Sequence, residues 1–323
     1  FPDPGNNPAS AGYINVFFMF QALPTTPTGS VYFPALAGGI TQAQLNADIV
    51  TCRARGQLVL LTVGGAGAQV QISTQAQADN FIASIKTINV TLGGSGGTAA
   101  FDGIDWNSYE GASASGRWLT YASLALKDFY GSTFQITSPP AVHEQFSGGQ
   151  AWLDRLVLAE MHAGGTYGSY TGTALDWFCP QFYDGGGNND PAFVRSTLDF
   201  YNTSVTIPLN NGNTVATSQI PRTKIGIGYR IGVEANSWTT ANAVSNYTAA
   251  VDAGKSPRGA FNFSALNNTS NTFATQVGPT ILGGSGPVGT LTTVKRINTL
   301  FVASIKRING ILIASVKSWG GRQ

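Results

Sequence analysis

Short, continuously apolar runs recur along this chain, each followed by a longer polar or amphipathic stretch, and few folds accommodate that alternation. "YINVFFMF" (13–20) and "QLVLLTVGG" (57–65) carry apolar side chains at both parities. Both faces of such strands must be covered, which parallel strands under helices achieve and a half-wetted antiparallel sheet does not. Between them, "TQAQLNADIVTCRARG" (41–56) sets Leu45, Ile49 and Cys52 on one helical face, with Gly56 as a stop. "TQAQADNFIASIKTI" (74–88) and "GRWLTYASLALKDFYG" (116–131) also read as helices. "FDGIDWNSY" (101–109), "TFQITSPP" (133–140), "LDWFCPQFYD" (175–184), "TKIGIGYRIG" (223–232) and "RGAFNFSAL" (258–266) supply further strands. This pattern over roughly 250 residues predicts an α/β fold, a (β/α)8 TIM-type barrel rather than an open sheet.

The organisation changes at "LGGSGPVG" (282–289). Beyond this joint an eleven-residue period takes over: "VKRINTLFVAS" (294–304), "IKRINGILIAS" (305–315), then "VKSW" (316–319). Eleven-residue periods can wind right-handed coiled coils. The β-branched residues and the Asn309-Gly310 pair favour short strands joined by turns instead. The expected division is a barrel over 1–281, a linker over 282–290 and a β-rich repeat tail over 291–323. Such a tail buries too little alone, so it is expected to pair with the barrel or with other copies in a homo-oligomer or larger assembly; the alternative is a flexible basic tail.

Charge supports that division. No acidic residue follows Asp252, while Lys255, Arg258, Lys295, Arg296, Lys306, Arg307, Lys317 and Arg322 do, giving +8 there and −6 before it (10 basic against 16 acidic). A basic tail can meet nucleic acid or an acidic membrane surface. The repeat favours an acidic neighbouring subunit, and no nucleic-acid partner is expected. Only 11% of residues are charged, against about a quarter in ordinary domains. With abundant Gly, Ser, Thr and Asn, this points to an extracellular or particle-surface setting.

Cys52 and Cys179 stand far apart and are read as buried free thiols rather than a disulfide framework. His143 and His162 lack zinc-ligand spacing, so neither metal nor cofactor is expected. "GIGYRIG" (226–232) lies within a strand, without the following helix a dinucleotide turn requires. No uncharged apolar run reaches the roughly 20 residues of a membrane span. Asn89, Asn202, Asn246, Asn262, Asn267 and Asn268 begin N-x-S/T sequons, several of which chance would supply in this composition.

"FDGIDWNSYEG" (101–111) carries the candidate chemistry. Side chains two apart on a strand share a face, so Asp105, Asn107 and Tyr109 project together and Asp102 has the opposite parity. A carboxylate row at the rim of a barrel suits sugar cleavage, where an acid protonates the leaving oxygen. Read this way the chain resembles the glycoside hydrolase family 18 chitinases, especially the small plant and bacterial type. The family's Asp-Gly-x-Asp-x-Asp-x-Glu signature falls on Asp102, Gly103, Asp105, Asn107 and Tyr109. "INVFF", "TVGG" (62–65), "QFYD" (181–184) and "GAFNF" (259–263) match four more family stretches in order, across residues 13–266.

The resemblance implies a family 18 barrel and an N-acetylglucosamine-containing glycan as ligand, with Asp102, Asp105, Asn107, Tyr109, Tyr183 and Phe263 as the ligand-binding set. Tyr183 matches the tyrosine that supports the reacting acetamido group, and Phe263 replaces the tryptophan that floors the sugar pocket. The family's acid falls on Tyr109 and its middle aspartate on Asn107. A phenol with a pKa near 10 is a poor acid at neutral pH. Glu110 lies one residue out of step, and a regular strand points it away unless a bulge turns it inward. The leading expectation is therefore a non-catalytic, glycan-binding or structural chitinase-like protein. One alternative is a weak hydrolase of β-1,4-linked N-acetylglucosamine using Glu110, Asp105 and Tyr183; another is a scaffold with Asp105 and Asn107 simply satisfied inside the barrel. The resemblance also leaves only "FPDPGNNPASAG" where the family's first strand belongs, so the barrel is expected to lack its own first strand. A tail strand such as Ile311–Trp319, from the same chain or a neighbour, is the candidate to fill that place.

Overall fold

A computed structural model describes residues 16–34, 40–65, 67–107, 115–142, 149–183, 190–208, 215–232, 237–255, 257–263, 272–281, 307–308 and 311–312. The first strand, β1, runs Val16–Pro24 and ends against the short β2 (Val31–Tyr32). Helix α1 (Gln42–Ala54) opens on a capping box, with Thr41 and Gln44 bonding each other's backbone amides. It buries Leu45, Ile49 and Cys52, the face its spacing predicts. Strand β3 (Leu58–Val63), helix α2 (Gln75–Thr91), β4 (Gly103–Trp106), α3 (Gly116–Tyr130) and β5 (Gln135–Ser138) follow in alternation. Next come α4 (Gly149–Ala163), the hairpin β6 (Gly165–Tyr167) and β7 (Tyr170–Gly172), then β8 (Trp177–Phe178). Helix α5 (Pro191–Asn202), a second hairpin of β9 (Val205–Pro208) and β10 (Val215–Ser218), β11 (Ile227–Tyr229), α6 (Thr240–Asp252) and β12 (Ala260–Asn262) complete the body, with the short α7 (Gly278–Ile281) behind it.

The sheet is parallel wherever a helix intervenes. Strand β1 pairs with β3, β3 with β4, β4 with β5 and β5 with β8. Bridges Phe178↔Ile225 and Gln181↔Gly228 carry the order on to β11, which pairs in parallel with β12. These seven strands are the seven expected from the apolar runs. The segment 175–184 is more broken than expected, with only Trp177 and Phe178 in regular strand. Pro180 cannot donate to a ladder, and isolated bonds from the Gln181 amide to the Pro140 carbonyl and from Phe182 to Gly228 take over. The two hairpins lie outside the parallel sheet and had no clear signal in the apolar pattern.

Outward-facing residues of the sheet meet the helices in a dry layer. Trp106 is fully buried, packs on Phe81 at 4.4 Å and donates its indole N–H to Ser123 Oγ at 3.0 Å. Lys127 is buried too, and its ammonium is held by Asp176 at 2.7 Å and by the Phe134 carbonyl. Breaking such a pair would strand a charge in an apolar layer. The sequon residues Asn89 and Asn246 are 1% exposed and bond within the fold, which removes them as glycan acceptors. Both cysteines are free and buried. In the tail, β13 (Arg307–Ile308) pairs antiparallel with β14 (Ile311–Leu312), bracketing Asn309-Gly310. Among the described residues, no helix is long and apolar enough to cross a membrane.

Gly103 sets how closely β4 and β5 approach. A Cβ there would lie 2.0 Å from the Gln135 carbonyl oxygen, a backbone atom that cannot swing aside. Gly103→Ala should destabilise the protein by about 3 kcal/mol or more, at the upper end of overpacking costs. Urea unfolding of the two proteins side by side measures it.

Candidate functional site

Register across four strands builds the site. Thr62 on β3 lies opposite Asp105 on β4, Asp105 opposite Thr137 on β5, and Thr137 opposite Trp177 on β8. Their side chains share the inner face, because partners in register have the same parity. Asp105 is 3% exposed, and its carboxylate accepts bonds from Thr137 Oγ1 at 2.6 Å and Thr62 Oγ1 at 3.3 Å. Burial nevertheless dominates and pushes the Asp105 carboxyl up to about 7, the two hydroxyl bonds opposing only part of the shift. Cys179 sits in the same interior; burial first, and the nearby Asp105 second, push its thiol well above the usual range. This cysteine is a packing residue, not a nucleophile.

One step nearer the rim, Asn107 Oδ1 accepts a bond from Gln181 Nε2 at 3.3 Å. Gln181 also donates to the Pro139 carbonyl, so the Asn107 amide is oriented from two strands away. Aromatic rings close the other side. Tyr183 and Phe263 stack with planes 6° apart and centroids at 5.7 Å, and Phe261 meets Tyr183 edge-on at 6.3 Å. Phe18 stands edge-on to Trp177 at 6.0 Å. Together these residues line a narrow cleft of about 40 Å³, its polar groups from Thr62, Asp105, Asn107 and Ser138 and its rings from Phe18, Trp177, Tyr183, Phe261 and Phe263. A small set of fixed polar groups facing aromatic walls is the general form of a small-ligand site.

The structure thus brings Asp105, Asn107, Tyr183 and Phe263 to one cleft. Asp102 is a correction: it does not line the cleft. Its Oδ1 accepts from Arg53 Nε at 2.9 Å and its Oδ2 from the Val59 amide at 2.9 Å, so it ties β4 to α1 and β3 on the far side of the sheet. Opposite parity to Asp105 is the physical reason. Tyr109 and Glu110 lie outside the described residues. Sequence reasoning missed Thr62, Thr137 and Gln181, which hold the polar flank, and assigned no role to Trp177, which lines the cleft, whereas Phe182 is buried against Phe193. Thr62 lay inside the "TVGG" match, but only strand register reveals that its hydroxyl meets Asp105.

No protein-family profile and no curated protein sequence matches this chain. Solved structures do. A family 18 chitinase from Chromobacterium violaceum aligns over 84% of this chain and 78% of its own, with a TM-score of 0.60 and 18% identity. A family 18 chitinase from Pseudoalteromonas aurantia aligns over 87% and 97%, with a TM-score of 0.57 and 12% identity. A xylanase-α-amylase inhibitor protein, solved with trehalose, aligns over 86% and 92%, with a TM-score of 0.56 and 16% identity. The chain therefore has a family 18 chitinase-like α/β fold. At these identities the likeness concerns the fold; it extends to chitinases and to an inhibitor alike.

The buried carboxyl makes a pH-dependent prediction. Because the folded state raises the Asp105 pKa from 3.8 to about 7, its contribution is fully present below about pH 4 and is lost as pH rises to 7. The raised Glu160 and the lowered His162 titrate in both proteins and cancel in a comparison. Asp105→Asn should therefore gain stability relative to the parent between pH 4 and pH 8, by about 2–4 kcal/mol. Thermal unfolding across that range tests it; a difference independent of pH refutes it.

Proposed function

We propose that this chain is a chitinase-like protein that holds N-acetylglucosamine-containing glycans in its cleft without cleaving them, in an extracellular or particle-surface setting. One observation carries the reading: the described carboxylate of the cleft is buried and engaged by two threonines. The strand continues with the amide Asn107 where the family places an aspartate, and the sequence continues with Tyr109 where the family places its acid. A sugar resting on the Tyr183–Phe263 rings would find hydrogen-bonding groups in Asn107 and Ser138 but no solvent-exposed carboxylic acid among the described residues. The structural likeness to chitinases supports the ligand class. The likeness to an inhibitor protein supports a role other than hydrolysis.

A second reading rests on Asp105 itself. A carboxyl near 7 is partly protonated at neutral pH, the range in which general acids work. In that reading Glu110 donates the proton and Asp105 supports it.

Two measurements separate the readings. Chitotetraose should bind in calorimetry, and Asn107→Ala should weaken binding by about 5–10-fold, the loss of one ligand hydrogen bond. A fluorogenic chitobioside should release no fluorophore above background. Turnover by the parent that disappears in Glu110→Gln would establish the hydrolase, and absence of both binding and turnover would leave a scaffold.

A further inference from the structure

A second cavity, of about 150 Å³, lies in the helix layer and shares no lining residue with the cleft. Gln75 of α2, Arg117, Trp118 and Tyr121 of α3, and Thr166 and Tyr167 of β6 line it. The β6–β7 hairpin that supplies one wall stands outside the parallel sheet, yet its place against α3 is fixed. Asp128 Oδ1 accepts from the Ser169 amide at 2.7 Å, the Ser169 hydroxyl at 2.7 Å and the Tyr170 amide at 3.1 Å. The turn passes through Gly168 at φ +55°, a left-handed conformation that glycine takes without strain. This docking carries Tyr167 to Tyr121, edge to face at 5.0 Å, and Tyr121 meets Trp118 in the same way at 5.7 Å. The Tyr121 hydroxyl donates to Asp79 Oδ1 at 3.0 Å and accepts from Gln75 Nε2 at 3.4 Å. The Arg117 guanidinium lies over the Trp118 ring at 4.6 Å. All three rings are half-buried, while Gln75, Arg117 and Thr166 are exposed, so the cavity opens to solvent.

We propose that this cavity binds a neutral pyranose ring of a glycan, as a second site apart from the cleft. The size fits, since a cavity of about 150 Å³ admits one six-membered ring. The chemistry fits as well. Aromatic faces pack against the C–H face of a pyranose. The Gln75 amide and the Thr166 hydroxyl each donate and accept, as sugar hydroxyls do. A cation would need a carboxylate, and none lines the cavity among the described residues. An anion gains little, because the Arg117 charge acts on the Trp118 ring and on the Glu160 carboxyl. A proline-rich segment also packs on rings, but it has no hydroxyl and no backbone N–H to answer the acceptors of Gln75 and Thr166. This inference does not rest on glycan binding in the cleft.

The test titrates chitotetraose and cellotetraose, both neutral, separately into the isotope-labelled full chain and follows side-chain N–H shifts by NMR. At least one sugar should move the Trp118 indole and the Gln75 amide with a Kd of about 1 mM. Trp118→Ala, read on the Gln75 amide, should weaken that binding roughly 10-fold. Gln75 is exposed, so Gln75→Ala keeps the test open if the tryptophan variant does not fold; read on the Trp118 indole, it should weaken binding about 3-fold. The Asn107 and Gln181 side-chain amides report the cleft separately, so a silent cleft does not count against this site. No shift at Trp118 with either sugar, affinity unchanged by these substitutions, or shifts produced by a decaproline peptide and by neither sugar would each overturn the proposal.

Discussion

A carboxylate buried in the interior of a parallel sheet shapes the cleft of this protein. Water is excluded around Asp105, so its charge must be met by fixed dipoles, and strand register supplies them as hydroxyls from Thr62 on one side and Thr137 on the other. Those bonds do not fully replace water, and the carboxyl stays near neutrality. The interior therefore holds a buried carboxyl at the inner wall of the cleft. Among the described residues, the polar groups that line the cleft beside Asp105 are the Thr62 and Ser138 hydroxyls and the Asn107 amide.

The rest of the interior is filled by rings. Phe18, Trp177, Phe261, Tyr183 and Phe263 take up the space toward β1 and β12, and the narrow cleft is what they leave. Glycine makes this filling possible: a Cβ at Gly228 would meet the Phe261 ring at 2.5 Å. The same rings bring Phe18 on β1 and Phe261 on β12 within 6.0 Å of each other.

Much of this was legible along the chain. Helix α1 and its buried face follow from Leu45, Ile49 and Cys52 at helical spacing under a Thr41 cap, and the parallel strands follow from apolar runs with no wet face. The cluster of Asp105, Asn107, Tyr183 and Phe263 was reachable through motif order. Thr137 and Gln181 were not, because a threonine in "QITSPP" or a glutamine after proline carries no mark of its cross-strand partner. Asp102 misled for a related reason: it belongs to the motif by position, but its parity turns it toward Arg53 and the Val59 amide.

Local chemistry in the sequence determined which segments are helix or strand, which faces are apolar, and that a phenol and an amide occupy positions 109 and 107. These are matters of side-chain identity and spacing along one chain. The tertiary structure decided the register between strands, and hence that two hydroxyls meet one carboxylate and that the Phe18 and Phe261 rings meet between β1 and β12. Register depends on packing among segments that are distant in sequence. A shift of one residue in any strand would leave the sequence pattern intact while turning Asp105 away from its partners.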